Sequence, residues 1–135
     1  MKELAYIEKI AVLRILFDII NADNVVHEKE VKYLKEIAYS LNLIGDYMQD
    51  VEELISFKAI SIIKELSNEV KEEIAQIMGN MIVIDNDINY NEVKVYYKVC
   101  ESCNMKIDFD VDGFPNCTIS GPFVNPEDLI VYPNN

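Results

Sequence analysis

The sequence lacks any long apolar run. No stretch of about 18 apolar residues, the length that crosses a bilayer as a helix, occurs among its 135 residues. A secretory signal is also missing, because charged residues such as Lys2, Glu3 and Glu8 alternate with apolar ones from the start. We therefore expect no membrane insertion and a cytoplasmic location.

Basic residues are scarce. Lys and Arg number 12 against 24 Asp and Glu, which gives a net charge of −12. Such a charge repels phosphate backbones and anionic lipid surfaces, which argues against nucleic-acid binding and membrane-surface binding. It favours cations and basic patches on other proteins, although many acidic folds are merely soluble.

The residues of nucleophilic catalysis are few. There is one histidine, and neither a Gly-x-Ser-x-Gly elbow nor a glycine-rich phosphate loop is present. No acid, base and nucleophile can be matched from this set, so we do not expect an enzyme. Three cysteines cannot all pair within one chain, which suits a reducing compartment.

The most informative feature present is an internal repeat. Residues 23–43 align with residues 85–105 without a gap, which indicates one supersecondary unit used twice. The repeat also helps to interpret the motif Cys100-x-x-Cys103. Its spacing resembles that of a zinc or redox pair, for which Cys117 and His27 are candidate further ligands. The two cysteines align with Ala38 and Leu41 on the inward face of the first-half helix, so we predict that they are core residues.

Residues 1–105 are predicted to be helical and residues 106–135 are not. Segments 3–22 and 68–84 are apolar nearly all round, which is typical of central helices, and 47–66 forms one or two amphipathic helices. All four prolines follow residue 114, and Lys106–Val111, Thr118-Ile119 and Leu129–Tyr132 are candidate strands. The predicted fold is an all-α bundle of two pseudo-repeated helix pairs (1–105), with a short irregular or β-hairpin tail (106–135) packed on it.

Each repeat has a short break followed by a helix start. The patterns His27-x-x-Glu30 and Asn89-x-x-Glu92 suggest helix caps, in which Asn89 caps the amides and Glu92 reaches back. His27 is a poorer cap and is expected at the surface. Asn24 and Asn86 stand where a left-handed backbone is needed.

Acidic residues gather at both junctions, which permits two interpretations. Carboxylates converging at a loop are hard ligands for Ca²⁺ or Mg²⁺, but each of them can also cap a helix or fix a turn without a metal. An EF-hand is excluded, because Tyr90 and Tyr96 stand where the loop needs Gly and Glu. The candidate metal ligands are Asp18, Asp23, Glu28, Glu30, Asp85, Asp87 and Glu92.

The junction motifs resemble those of the tellurite-resistance TerB-like family. Ala22-Asp23-Asn24-x-Val26 followed by Glu28 and Glu30, and Asp85-Asn86-Asp87-Ile88 followed by Glu92, fit a signature of the form Ala-Asp-Gly-x-Ile/Val-Ser/Thr/Asp-x-x-Glu. The resemblance covers roughly 1–105. It departs where Asn replaces Gly, where His27 replaces a small capping residue, and where Ile84 replaces Ala. It implies a helical domain with suggested roles in metal stress, co-chaperone modules and membrane-associated complexes.

Two functions are therefore expected from the sequence. The first is a non-catalytic module that binds a protein partner with a basic surface, in a stress-response role like that of TerB-like domains. The second is a divalent-cation binder that uses the junction carboxylates. No other cofactor is predicted.

Overall fold

The fold is that of a computed structural model, which describes residues 3–121. Six helices, two short strands and one 3-10 turn follow one another: α1 (Tyr6–Ile20), α2 (Glu28–Ser40), α3 (Tyr47–Glu53), α4 (Ser56–Lys64), α5 (Asn68–Val83), β1 (Asp87–Asn89), α6 (Tyr90–Cys103), the turn Val111–Gly113 and β2 (Thr118–Ser120). The predicted all-α bundle with a short, largely irregular tail is confirmed.

Helix α1 forms the centre of the bundle, as its apolar sequence predicts. It packs against every other helix, most extensively against α4. Its buried residues lie all round the helix, which leaves few positions for solvent. Helix α5 occupies the corresponding place in the second repeat and buries Ile74, Met78 and Met81. The predicted central helices are therefore both present.

The repeat is visible in the backbone as well as in the sequence. Asn24 and Asn86 have φ values of 62° and 64°, and Asn42 and Asn104 have values of 61° and 57°. All four are left-handed, a conformation that Asn tolerates better than most residues. One pair opens the junction after the central helix, and the other ends the helix that follows. The left-handed backbone predicted for Asn24 and Asn86 is confirmed.

The described part of the tail, 106–121, returns to the second junction. Strand β2 pairs in parallel with β1, with Thr118 opposite Asp87 and Ser120 opposite Asn89. The alternation over Lys106–Val111 predicted a strand, and this prediction is wrong, because the segment has no strand partner and runs into the turn at Val111–Gly113. The alternation instead places apolar side chains of this segment against the bundle, and Phe109 is buried against Tyr96. The predicted strand Leu129–Tyr132 lies outside the described residues.

Candidate metal site at the helix junctions

The two aspartates that open the junctions adopt the same local structure. Asp23 Oδ1 accepts a hydrogen bond from the Val25 amide at 3.0 Å, and Asp85 Oδ1 accepts one from the Asp87 amide at 3.2 Å. These Asx turns fix each carboxylate through one oxygen. The other oxygen, Oδ2, is left to point away from the loop, and in both repeats it points at the same side chain.

That side chain is His27, which lies between the two junctions. Its Nε2 is 3.0 Å from Asp23 Oδ2, and its Nδ1 is 3.6 Å from Asp85 Oδ2. The hydrogen bond to Asp23 raises the pKa of His27, and the charges of Glu30, Asp23 and Asp85 act in the same direction against the opposing effect of burial. One imidazole therefore links equivalent carboxylates of the two repeats. It is 30% exposed, so the cluster opens to solvent on this side.

Beneath His27, the two repeat-related glutamates meet in the interior. Glu30 and Glu92 are each 1% exposed, although both lie in the first turn of a helix. Within residues 3–121, three buried oxygens of this pair have no hydrogen-bond partner: Glu30 Oε1, Glu92 Oε1 and Glu92 Oε2. Buried polar atoms are rarely left in this state, so these three oxygens require an explanation.

Burial makes the charged forms of this pair costly. It raises the pKa of both carboxyls, and the neighbouring charges of Asp23 and Asp85 raise them further. A protonated Glu92 that donates to Glu30 satisfies part of the pair without a metal, which raises the pKa of Glu92 and partly offsets the rise at Glu30. In the metal-free protein, a proton on Glu92 would therefore relieve the repulsion between the two carboxylates.

Three groups of the cluster converge closely enough to hold one ion. One ligand atom each from Asp23, His27 and Glu92 lie within 4.8 Å of one another. The trio combines two carboxylates with one imidazole, a ligand set that suits divalent transition metals. Glu30 and Asp85 stand beside it as the repeat copies of two of its members. The arrangement can bind a cation.

The structure separates the seven carboxylates predicted as metal ligands. Asp23, Glu30, Asp85 and Glu92 gather around His27. Asp18 accepts a hydrogen bond from Ser56 Oγ at 2.6 Å and pairs with Arg14 at 3.1 Å. Asp87 accepts hydrogen bonds from the hydroxyls of Thr118 and Ser120, at 2.5 and 2.6 Å, and so holds β2. Glu28 is exposed in the first turn of α2.

The predicted capping roles need correction at three positions. Asn89 does cap α6, accepting from the Asn91 amide at 2.8 Å. Glu92 does not reach back to complete a capping box, and Glu30 is no surface charge near a helix end, because both carboxyls turn inward. His27 occupies the N-cap position of α2 without a side-chain capping bond. Its role in the cluster was missed, although Asp23, His27 and Glu30 lie within eight residues of one another.

The cysteine pair lies in the core, as predicted. Cys100 and Cys103 are both fully buried, and Cys103 Sγ lies 3.5 Å from the Ile60 carbonyl oxygen. Burial raises the pKa of Cys100 to about 12 and that of Cys103 to about 11. Thiols of this kind are poor ligands and poor nucleophiles at neutral pH.

Comparison with known proteins shows a likeness in fold and no family. No protein-family model matches the chain, and no curated protein matches its sequence. The chain is similar to the crystal structure of a protein of unknown function from Porphyromonas gingivalis W83, with a TM-score of 0.69 and 16% identity over 81% of this chain and 93% of that one. At this identity the likeness shows the fold alone.

In the part of the chain that the structure describes, no helix has the length and apolar character needed to cross a membrane.

Proposed function

We propose that this protein binds a divalent metal ion at the junction cluster, with Asp23, His27 and Glu92 as ligands. The observation that carries the proposal is the pair of buried glutamates whose oxygens lack donors. Glu92 is 1% exposed, and both of its oxygens lie next to two other potential ligands. A divalent cation at this position would supply more positive charge to these oxygens than a protonated His27 does.

Charge supports the same conclusion. The cluster contains four carboxylates and one imidazole, in a chain whose net charge is −12. Burying ionised carboxylates without compensation costs several kcal/mol for each ion, in order-of-magnitude terms. Protons on the glutamates relieve that cost in the metal-free state, and a divalent ion relieves it when bound. Metal and protons therefore compete for the same oxygens.

A metal titration of the chelator-treated full chain tests the proposal. We expect saturable binding by calorimetry with one or more of Mn²⁺, Co²⁺, Zn²⁺, Ca²⁺ and Mg²⁺, together with a rise in melting temperature. Glu92→Gln should abolish it. Glu101→Gln, at an exposed position of the same helix, is the matched control and should bind as the unaltered chain does. If none of these ions binds, the proposal is wrong and the buried glutamates Glu30 and Glu92 have only a structural role.

A protein-binding role is a second proposal, because the exposed residues around the break between α3 and α4 are both apolar and acidic. Ile55 is 64% exposed and Phe57 is 77% exposed, and both follow the exposed acidic residues Glu52 and Glu53. This surface fits a partner that presents basic and apolar groups together. Such a role would be non-catalytic, and a stress-response setting is what the resemblance to TerB-like domains suggests for it.

Matched variants test this second role. Phe57→Ser should weaken capture of a specific partner, and charge reversal at Glu52 and Glu53 should make the residual capture less dependent on salt. Phe114→Ser, at a partly exposed aromatic residue of the tail, serves as control. Equal capture by Phe57→Ser and by the unaltered chain would rule out this surface.

A further inference from the structure

We infer that the junction site selects a first-row transition ion over Ca²⁺ and Mg²⁺, with His27 Nε2 as the ligand and Asp85 as the residue that positions the imidazole. This inference rests on the proposed metal binding and adds the class of the ion and the role of the second repeat. Two observations carry it: the unequal contacts of the two imidazole nitrogens, and the donorless buried oxygens of Glu92 beside them.

The ligand set itself argues for a transition ion. Ca²⁺ takes six to eight oxygen ligands, and Mg²⁺ holds to octahedral oxygen coordination with several waters. The converging trio offers only two carboxylates, and its third member is a nitrogen. Carboxylates suit Mg²⁺, Ca²⁺ and Mn²⁺, whereas imidazole suits Zn²⁺ and iron, so the nitrogen of His27 is the ligand that favours a transition ion.

The spacing of two ligand atoms is compatible with a bound ion. Ligands about 2.1 Å from an ion lie about 3.0 Å apart at right angles and about 3.4 Å apart in a tetrahedron. His27 Nε2 and Asp23 Oδ2 are 3.0 Å apart already. The metal-free hydrogen bond therefore holds these atoms near a separation that one ion can bridge, and the choice of ion rests on the nitrogen ligand.

Asp85 acts on the site through His27. A neutral imidazole that binds metal through Nε2 carries its proton on Nδ1, and ligating histidines usually donate that proton to a carboxylate. Asp85 Oδ2 is 3.6 Å from Nδ1, and its Oδ1 is held by the Asp87 amide. A small rotation of the ring closes this gap while Asp23 stays in place. The repeat thus uses one aspartate as a ligand and its copy as the acceptor that fixes the ring.

The asymmetry of the repeat explains why the two junctions, as described within residues 3–121, share one such site instead of forming two. The residue equivalent to His27 is Asn89, whose side chain is occupied by the Asn91 amide and by Ser120 Oγ. The second repeat therefore has no imidazole to offer, and Asp85 turns towards His27 of the first repeat. This division of roles follows from two side chains at one repeat position.

The test compares metal affinities of the full chelator-treated chain with Zn²⁺, Co²⁺, Ca²⁺ and Mg²⁺ for the unaltered protein and for His27→Ala, Asp85→Ala, Asp85→Asn and Asp87→Ala. We expect Zn²⁺ and Co²⁺ to bind more tightly than Ca²⁺ and Mg²⁺. His27→Ala should remove this preference. Asp85→Ala should weaken Zn²⁺ binding about 10–100-fold, and Asp85→Asn, which keeps an acceptor oxygen, should recover part of the loss. Asp87→Ala removes a carboxylate of the same loop that faces β2, and should leave the affinity unchanged.

A second readout isolates the positioning role. Nitrogen-15 spectra of the Zn²⁺-loaded protein should show His27 with its proton on Nδ1, and this tautomer preference should weaken in Asp85→Ala. If no ion binds at all, the proposed function itself fails. If Ca²⁺ or Mg²⁺ binds as tightly as Zn²⁺, or if His27→Ala leaves Zn²⁺ affinity intact, metal binding stands and the selectivity is wrong. Unchanged affinity and tautomer in Asp85→Ala would overturn the role of Asp85.

Discussion

At the scale of single residues, the cluster shows how one side-chain type serves opposite purposes. A glutamate at the third position of a helix is commonly a capping residue, and the sequence around Glu92 satisfies that pattern. In the structure, Glu92 and Glu30 are buried at 1% exposure instead. Local sequence cannot distinguish these outcomes, because the cap depends on residues nearby, whereas burial depends on the other repeat. The junction carboxylates could therefore be predicted as candidates, but not which of them converge.

Burial of the glutamate pair gives the metal-free protein a pH-dependent stability. Burial raises the pKa of Glu30 and Glu92 above the ordinary value of 4.5, and the hydrogen bond to Asp23 raises that of His27 above 6.5. These three groups therefore bind more protons in the folded chain than in the unfolded chain. Their contribution to the free energy of unfolding should be fully present below about pH 4.5 for the glutamates and below about pH 6.5 for His27, and should be lost as the pH rises through the raised pKa values.

Glu92→Gln should remove much of that dependence, because the amide is neutral at every pH. In chelator at pH 8, we expect the variant to be more stable than the unaltered chain by on the order of 1–3 kcal/mol, and the difference should shrink towards pH 4.5. Urea denaturation across this range measures it, with Glu101→Gln as control. A variant that is less stable at pH 8 would show that the pair is ionised and favourable in the fold.

The three thiols should differ in reactivity. Burial raises the pKa of Cys100 to about 12 and that of Cys103 to about 11, whereas Cys117 is partly exposed. A thiol reagent at pH 8 should therefore modify one cysteine quickly and the other two only after denaturant is added. Cys117→Ser should abolish the fast phase. Rapid modification of Cys100 or Cys103 would contradict their place in the core.

At the scale of elements, the two junctions diverge although their sequences align. Ile88 is fully buried and β1 is paired, whereas Val26, at the equivalent position, is 67% exposed. The difference comes from β2, which covers only the second junction. The Thr118 amide donates to the Asn86 carbonyl at 2.9 Å, and two hydroxyls converge on Asp87. Side-chain hydrogen bonds therefore supplement the backbone pairing of this three-residue strand.

We predict that Asp87→Ala releases β2 while leaving the bundle folded. Removing the acceptor leaves the Thr118 and Ser120 hydroxyls without their shared carboxylate, and a three-residue pairing has little other support. Hydrogen exchange at Thr118 and Ser120 should accelerate by at least about tenfold, which corresponds to about 1.4 kcal/mol of opening free energy. Amides inside α1 serve as the internal reference. Unchanged exchange at β2 would mean that backbone pairing alone holds it.

The elements differ in how far the sequence predicts them. The helices were predictable, because apolar spacing and polar junctions repeat over long segments and packing agrees with them. The sequence does not decide whether 47–66 is one helix or two, since the break between α3 and α4 at Leu54 and Ile55 contains neither Gly nor Pro. The pairing of β2 with β1 is not predictable, because parallel pairing of three-residue strands depends on contacts far apart in the sequence. The pattern at Thr118-Ile119 predicts a strand but not its partner.

At the scale of the whole molecule, the tail contributes to the same core as the helices. Phe109 is 8% exposed, lies 5.7 Å from the Tyr96 ring and stacks on Phe114 at 5.4 Å. The Asp108 amide donates to the Tyr96 hydroxyl at 3.1 Å, which satisfies a side chain that is only 1% exposed. Gly79 of α5 faces the ring of Phe109. The bundle without residues 107–121 would therefore expose both apolar surface and a buried hydroxyl.

Deleting 107–135 should lower the melting temperature and create dye-binding surface. Loss of Phe109 alone removes about 2–3 kcal/mol of burial, and the loss of cover over Tyr96 and Ile88 adds to it. A thermal melt with an apolar dye measures both effects. Phe109→Ala should reproduce part of the shift in melting temperature. A shorter deletion of 122–135 distinguishes the contribution of residues 107–121 from that of the residues that follow them. An unchanged melt after deletion of 107–135, with no added dye binding, would show that the helices alone complete the core and that the tail serves another purpose.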